Sequence, residues 1–255
     1  MSIDIHCHIL PGIDDGAKTI EDSKTMARAA VAEGITHILC TPHHNNGVFD
    51  NDKYDVIDYV KTLQEALDED GIPLILMEGQ EVRLSGDIME RIKNDTILFA
   101  DLSDRYILIE FPAAIIPTYA EPILFEMCTQ GMTPIIVHPE RNSAIIKNPN
   151  ALLPFIEMGC ISQVTNASYV GTFGKNIEKT AEILINCNMA HVLASDAHNT
   201  GRRGFYTKEA EAKLLKQFGE EKVMFFEQTA KDIINGDYTQ TLPEKEYHKK
   251  FLGLF

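Results

Sequence analysis

With 255 residues, 44% of them hydrophobic, the chain can bury the core of one α/β barrel or of two small domains. Its 38 acidic and 23 basic residues give a formal charge of -15, which excludes a general nucleic-acid binder, since such a protein needs a basic face. No apolar run approaches the ~18 residues of a membrane-spanning helix, so no membrane insertion is expected. The first residues carry Asp4, His6 and His8 where a secretory signal would be basic and then apolar, so a cytoplasmic protein is expected.

In chain order, the run Ile3-Asp4-Ile5-His6-Cys7-His8 reads as a strand. Alternation then puts His6 and His8 on one face and Ile3, Ile5 and Cys7 on the other. Residues 11–16 read as a turn and 19–33 as a helix stopped by Gly34. Strands are expected at 36–41, 74–80, 105–110, 133–138, 160–165 and 190–195. Helices are expected at 51–69, 85–93, 118–130, 149–158 and 175–187, with two more within 206–235 and a polar tail from about 236 that includes Lys249 and Lys250. In the first helix, Met26, Ala29, Ala30 and Val31 are expected to face the core. Seven alternations with short joints favour one domain with a parallel sheet, closed or nearly closed. Periodicity does not distinguish closure from an open doubly wound sheet.

In β/α barrels the chemistry collects at the C-terminal strand ends. The polar residues here follow that rule. His6 and His8 end the first strand, His43 follows the second and Glu81 the third. Glu110 ends the fourth, His138 the fifth, and Asp196 and His198 the seventh, while Asp15 lies in the first strand-to-helix turn. A single strand-end histidine or carboxylate is ordinarily a cap or a satisfied polar group. A whole rim of them would leave costly unpaired charge unless metal ions compensate it. Mixed imidazole and carboxylate donors suit Mn²⁺, Fe²⁺ or Zn²⁺ better than a thiolate site or a site for Mg²⁺ alone.

The five cysteines are scattered and form no C-x-x-C pair, so they read as reduced, mostly buried thiols. A cysteine phosphatase needs Cys-x5-Arg. Six residues after the five cysteines stand Ile13, Asn46, Pro134, Asn166 and Leu193, none of them arginine.

The run from Asp4 through His6, His8 and Asp15 to Gly16 resembles the signature of PHP (polymerase and histidinol phosphatase) proteins. More narrowly it resembles the manganese-dependent bacterial protein-tyrosine phosphatases of the CpsB/CapC/YwqE type. Thr41-Pro-His43-His44, Glu81, Ile109-Glu110-Phe111, His138-Pro-Glu-Arg141 and Ser195-Asp196-Ala-His198-Asn199 extend the resemblance to about residue 210. It implies a distorted (β/α)7 barrel of the PHP type and a centre of three manganese ions, with Fe²⁺, Zn²⁺ or Mg²⁺ as other occupants. By the matching positions, His6, His8, Glu81 and Asp196 would hold one ion. Glu81 would bridge to a second held with Glu110 and His138. Asp15, or its neighbour Asp14, with His43 and His198 would hold the third. Arg141 and Arg203 would bind phosphate, with Arg202 a rival for Arg203. His44 is considered as proton donor to the leaving phenol, against a plain surface histidine.

A water between two divalent ions loses a proton near neutral pH and can attack phosphorus. Three divalent ions against Asp15, Glu81, Glu110 and Asp196 leave about +2, raised to about +4 by the two arginines. The implied reaction is hydrolysis of phosphotyrosine in a protein partner, an autophosphorylating bacterial tyrosine kinase of capsule or exopolysaccharide synthesis with a tyrosine-rich tail. The alternatives are a small-metabolite phosphatase such as histidinol phosphatase, and a non-catalytic metal- or phosphopeptide-binding regulator. Oligomeric state is not legible.

Overall fold

The computed structural model describes residues 2–248. Its strands are β1 (Ser2–Cys7), β2 (Ile35–Cys40), β3 (His43–His44), β4 (Ile75–Glu78), β5 (Glu81–Arg83), β6 (Tyr106–Glu110), β7 (Thr133–Val137), β8 (Ile161–Thr165) and β9 (Val192–Ala194). Its α-helices are α1 (Ile20–Ala32), α2 (Lys53–Glu69), α3 (Ile88–Lys93), α4 (Ala120–Thr129), α5 (Ser143–Lys147), α6 (Leu153–Glu157), α7 (Asn166–Tyr169), α8 (Lys175–Asn186), α9 (Thr207–Phe218) and α10 (Glu220–Asn235). Every strand pairing is parallel.

The expected alternation is present, with two strands broken in the middle. The second continues past Pro42 as β3; proline has no N–H to give a ladder, so the pairing lapses there. The third is split at Gly79-Gln80 into β4 and β5. A Cβ on Gly79 would stand 2.9 Å from Leu39 Cγ, so the backbone presses against its neighbour where only glycine fits. The helix expected at 149–158 starts as a 3-10 turn, Pro149–Ala151, and is α-helical only over α6.

Two sheets result, with strand orders β1-β2-β4 and β3-β5-β6-β7-β8-β9. This is an α/β fold with parallel sheets, divided into two ladders where the seven alternations favoured one closed or nearly closed sheet. The seam between β9 and β1 is bridged only beyond the end of β9. There Asp196 N donates to His6 O (2.8 Å), His8 N donates to Ala197 O (2.9 Å), and Cys7 forms an isolated parallel bridge with Ala197. Strands of both sheets nevertheless share one interior, where Ile5, Leu39, Leu108, Ile135, Ile161 and Val192 pack together.

The helices cover the outside of the sheets for ordinary reasons. Thr19 and Asp22 form a reciprocal capping box at the start of α1, whose Met26, Ala27 and Ala30 are buried on one face. The partly buried Ala29 and Val31 pack against the same cluster, as expected. α2 buries Val56, Val60, Leu63 and Leu67, each contributing about 1.5–3 kcal/mol of apolar transfer. Residues 237–248 form no regular element but are pinned: Tyr106 Oη donates to Asp237 O (2.6 Å) and Tyr247 N donates to Asn150 Oδ1 (2.7 Å). The tail's Lys249 and Lys250 lie outside the described residues. Among the described residues, no helix is long and apolar enough to cross a membrane.

Candidate metal centre

β1 and the residue just past it deliver the first two imidazoles on one side, with His6 Nε2 and His8 Nε2 3.2 Å apart. Alternation fails for their neighbours. A register shift between Asp4 and Cys7 puts Ile5 in the interior cluster and Cys7 in the cluster under α1 and α2, which is how a bulge re-aims side chains. Each ring is oriented from behind. His6 Nδ1 lies 3.0 Å from Gln163 Oε1, and His8 Nδ1 lies 2.7 Å from Asp14 Oδ2. Both partners are acceptors at these atoms, so each ring donates from Nδ1 and turns Nε2 toward the other.

The β3–β5 register sets His43 beside Glu81 and His44 beside Val82. His43 and Glu81 therefore share the site face, and His44 turns toward the core. His44 Nδ1 is 3.3 Å from Asp50, and burial lowers its pKa. The structure does not bring His44 to the other candidates. Arg83 pairs with Glu110 across β5 and β6: its Nε donates to Glu110 Oε2 (3.0 Å) and its Nη2 lies 2.9 Å from the same oxygen.

Two candidates follow their strands in left-handed backbone: His138 with φ 36° and Asp196 with φ 50°. Non-glycine residues in this region carry strain of order 1–3 kcal/mol, which surrounding contacts must hold in place. Asp196 and His198 thus converge through this twist, past the end of β9. His198 donates from Nδ1 to Asp196 O at 2.8 Å.

Glu81 lies at the middle. Its Oε2 is 3.4 Å from His6 Nε2, 3.3 Å from His8 Nε2 and 2.9 Å from His43 Nδ1, and its Oε1 is 2.6 Å from His138 Nε2. Asp196 Oδ1 lies 3.6 Å from His6 Nε2 and 3.3 Å from His8 Nε2. Asp15 Oδ1 lies 3.4 Å from His43 Nε2 and 3.2 Å from His198 Nε2. Its neighbour Asp14 instead backs His8 and accepts from Gly16 N (2.9 Å), so of the two rivals Asp15 faces the open side. His8, Asp15, His43 and His198 form one group whose ligand atoms all lie within 4.8 Å. His6, His8 and Glu81 form a second, and His43, Glu81 and Glu110 a third. His8 and His43 thus each reach toward two groups, whereas the resemblance assigned each to one ion, and His138 and Asp196 belong to none of the three.

The fit to divalent cations rests on Glu81. Its Oε2 is wholly buried and aligned for no hydrogen bond, although three imidazoles surround it. Short contacts without hydrogen-bond alignment indicate donors arranged around a common point. Two ligand atoms each ~2.1 Å from one ion stand ~3.0–3.4 Å apart, close to the separations found here. Electrostatics agree. Burial, and next the charge of Glu81, push Glu110 up to about 7, with Arg83 opposing. Burial, and next Arg141, lower His138 to about 4, leaving a neutral ring able to ligate. Burial opposes ionisation of Asp196, yet Arg141 at 2.6 Å and the surrounding histidines hold its pKa well below the usual range.

Arg141 and Arg203 line a cavity of about 270 Å³ with His43, Glu110, His138 and Asp196. Arg203 lines that cavity and reaches Asp15 Oδ2 (2.8 Å), whereas Arg202 is not among the lining residues and lies 5.9 Å from the Phe173 ring, which Arg141 approaches equally closely. Sequence reasoning missed Gln163 and Arg83 and left Asp14 as a mere rival. A glutamine within Ile161–Thr165 and an arginine two positions after Glu81 were the available signals.

A cluster of buried imidazoles and carboxylates at strand ends, opening on a cavity with two guanidiniums, defines a metal-dependent hydrolase of anionic esters on an α/β scaffold. Residues 2–235 match the family described as capsular polysaccharide synthesis, CpsB/CapC, and the chain belongs to that family. It is 41% identical to the tyrosine-protein phosphatase YwqE of Bacillus subtilis (strain 168), over 99% of this chain and all of the relative. It is 38% identical to the putative tyrosine-protein phosphatase CapC of Staphylococcus aureus, over 99% of each chain. A solved structure from work on YwqE of Bacillus subtilis and CpsB of Streptococcus pneumoniae, described as unique metal-dependent tyrosine phosphatases, superposes with a TM-score of 0.93 at 41% identity. That match covers 97% of this chain and all of the other.

Proposed function

We propose that this protein is a metal-dependent protein-tyrosine phosphatase of capsule or exopolysaccharide synthesis. Its substrate is phosphotyrosine in a protein partner, an autophosphorylating bacterial tyrosine kinase and in particular its phosphorylated tail, met in the cytoplasm. The observation that carries the reading is the convergence of His6, His8, His43 and His138 on the buried Glu81 carboxylate, beside a cavity lined by Arg141 and Arg203. The bridged β9–β1 seam and shared interior support a single domain in the form of a distorted (β/α)7 barrel.

His6, His8, Glu81 and Asp196 would hold one ion, Glu81, Glu110 and His138 a second, and Asp15, His43 and His198 a third, with Mn²⁺ the proposed occupant. Such ions supply charge neutralisation and water acidified to near-neutral pKa. The remaining work belongs to the chain. Gln163, Asp14 and the Asp196 carbonyl fix the tautomers of His6, His8 and His198. Arg83 holds Glu110 in place. Arg141 and Arg203 present planar N–H forks that match two phosphate oxygens at once. Nothing in the geometry provides a leaving-group acid at His44.

Mn²⁺-loaded protein should turn over a phosphotyrosyl peptide far faster than histidinol phosphate. A large preference for histidinol phosphate would replace this reading with the metabolite phosphatase.

A further inference from the structure

Arg203 makes two contacts that a phosphate-binding arginine does not need. Its Nη1 is 2.8 Å from Asp15 Oδ2 and its Nη2 is 2.5 Å from His198 Nε2. The second contact fixes the protonation of the ring. The Asp196 carbonyl, 2.8 Å from His198 Nδ1, can only accept, so Nδ1 carries the proton. A guanidinium can only donate, so Nε2 presents its lone pair to Arg203. An imidazole nitrogen has one lone pair, and ligation of a cation uses the same one.

From this we infer that Arg203 and the cation assigned to Asp15, His43 and His198 compete for His198 Nε2, so that filling this position releases the Arg203 fork to the substrate phosphate. The inference rests on the proposed assignment of those three residues to one ion. The backbone is already set for a side-chain exchange without loop movement, since His198 N and Asn199 N both donate to Arg203 O, at 2.9 and 3.2 Å. The Arg203 side chain is about one-third exposed and lines the cavity shared with Arg141, so it has somewhere to go. By linkage, phosphate that captures Arg203 tightens this ion, and the ion tightens phosphate by the same factor.

The test is titration of metal-stripped protein with Mn²⁺, following free ion by electron paramagnetic resonance, with no turnover involved. The wild type should show one ion weaker than the rest. Arg203→Gln and, as a second uncharged variant, Arg203→Met should each tighten that weakest ion by roughly tenfold, within the usual range of site coupling. Inorganic phosphate should tighten it more in the wild type than in either variant. Arg202→Gln removes the same charge one residue away and should shift it less than twofold. An unchanged or weaker last ion in both Arg203 variants overturns the competition. So does equal tightening in Arg202→Gln, which would make lost charge the whole cause. Phosphotyrosyl-peptide turnover is read separately. Its absence overturns the phosphatase reading, while the Mn²⁺ titration alone decides the competition.

Discussion

Glu81 is fully buried among four imidazoles, and no hydrogen bond satisfies its Oε2. Glu81→Gln keeps the shape but replaces a charged oxygen with a donor facing ring nitrogens. The variant should lose more than ~10²-fold in activity and at least one bound ion, checked by elemental analysis of the Mn²⁺-loaded protein. Gln163 acts at one remove, since it sets the tautomer of His6 without facing the open cavity. Gln163→Leu should weaken Mn²⁺ binding by about 10–100-fold with the fold intact by circular dichroism. Full affinity in that variant would show that His6 needs no orienting partner. The candidate ligands were legible in the sequence because His6, Glu110 and Asp196 sit at or just past the ends of apolar runs. Gln163, Asp14 and Arg83 were not, because an orienting residue is defined by a partner far away in the chain, and no periodicity encodes that.

At the level of elements, the strands and long helices were legible from their periods, whereas the breaks inside strands were not. Pro42 and Gly79 act through lost ladder bonds and a close backbone approach, which alternation does not register. The failed alternation at Cys7 and the left-handed turns at His138 and Asp196 are likewise local departures imposed by tertiary contacts. The turn after β1 is the tightest of these devices. Ala17 N donates to His8 O (3.1 Å), doubling the chain back so that Asp14 and Asp15 meet the imidazoles. A Cβ on Gly16 would lie 2.0 Å from His8 O and 2.7 Å from His8 Cβ, so the turn cannot accept alanine without moving. Gly16→Ala should destabilise the chain by about 1–3 kcal/mol and weaken Mn²⁺ binding, measured by urea unfolding and by metal titration. An alanine variant that matches wild type in both would mean the turn relaxes freely.

Over the whole molecule, Cys7, Cys40, Cys160 and Cys187 are buried and none of the five cysteines belongs to the candidate metal groups. Iodoacetamide should therefore spare turnover of an aryl phosphate, and a chelator should abolish it. The reverse pattern would put the chemistry on a thiol. One contribution to acid stability lies away from the centre. His191 is buried and accepts from Ser162 N at 3.2 Å; burial, and next Lys222, lower its pKa from 6.5 to about 4. Between those values the unfolded chain binds a proton that the folded chain refuses. Stability rises with pH wherever the unfolded state holds more protons. The contribution is thus complete above about 6.5 and is lost as pH falls toward 4. From pH 7 to pH 5 the wild type should lose about 2 kcal/mol more than His191→Asn, read from urea midpoints at the two pH values. Parallel losses would acquit the histidine.

The bridge between Cys7 and Ala197 ties the end of the opening strand to the segment just past the last one. During translation that edge of β1 must wait for its neighbour while nearly two hundred residues are made, which takes roughly 10–40 s at ordinary ribosome speeds. Throughout that interval the nascent chain offers an unsatisfied strand border, the kind of surface that recruits chaperones or other nascent chains. Prematurely terminated products lacking β9 should therefore accumulate as aggregates.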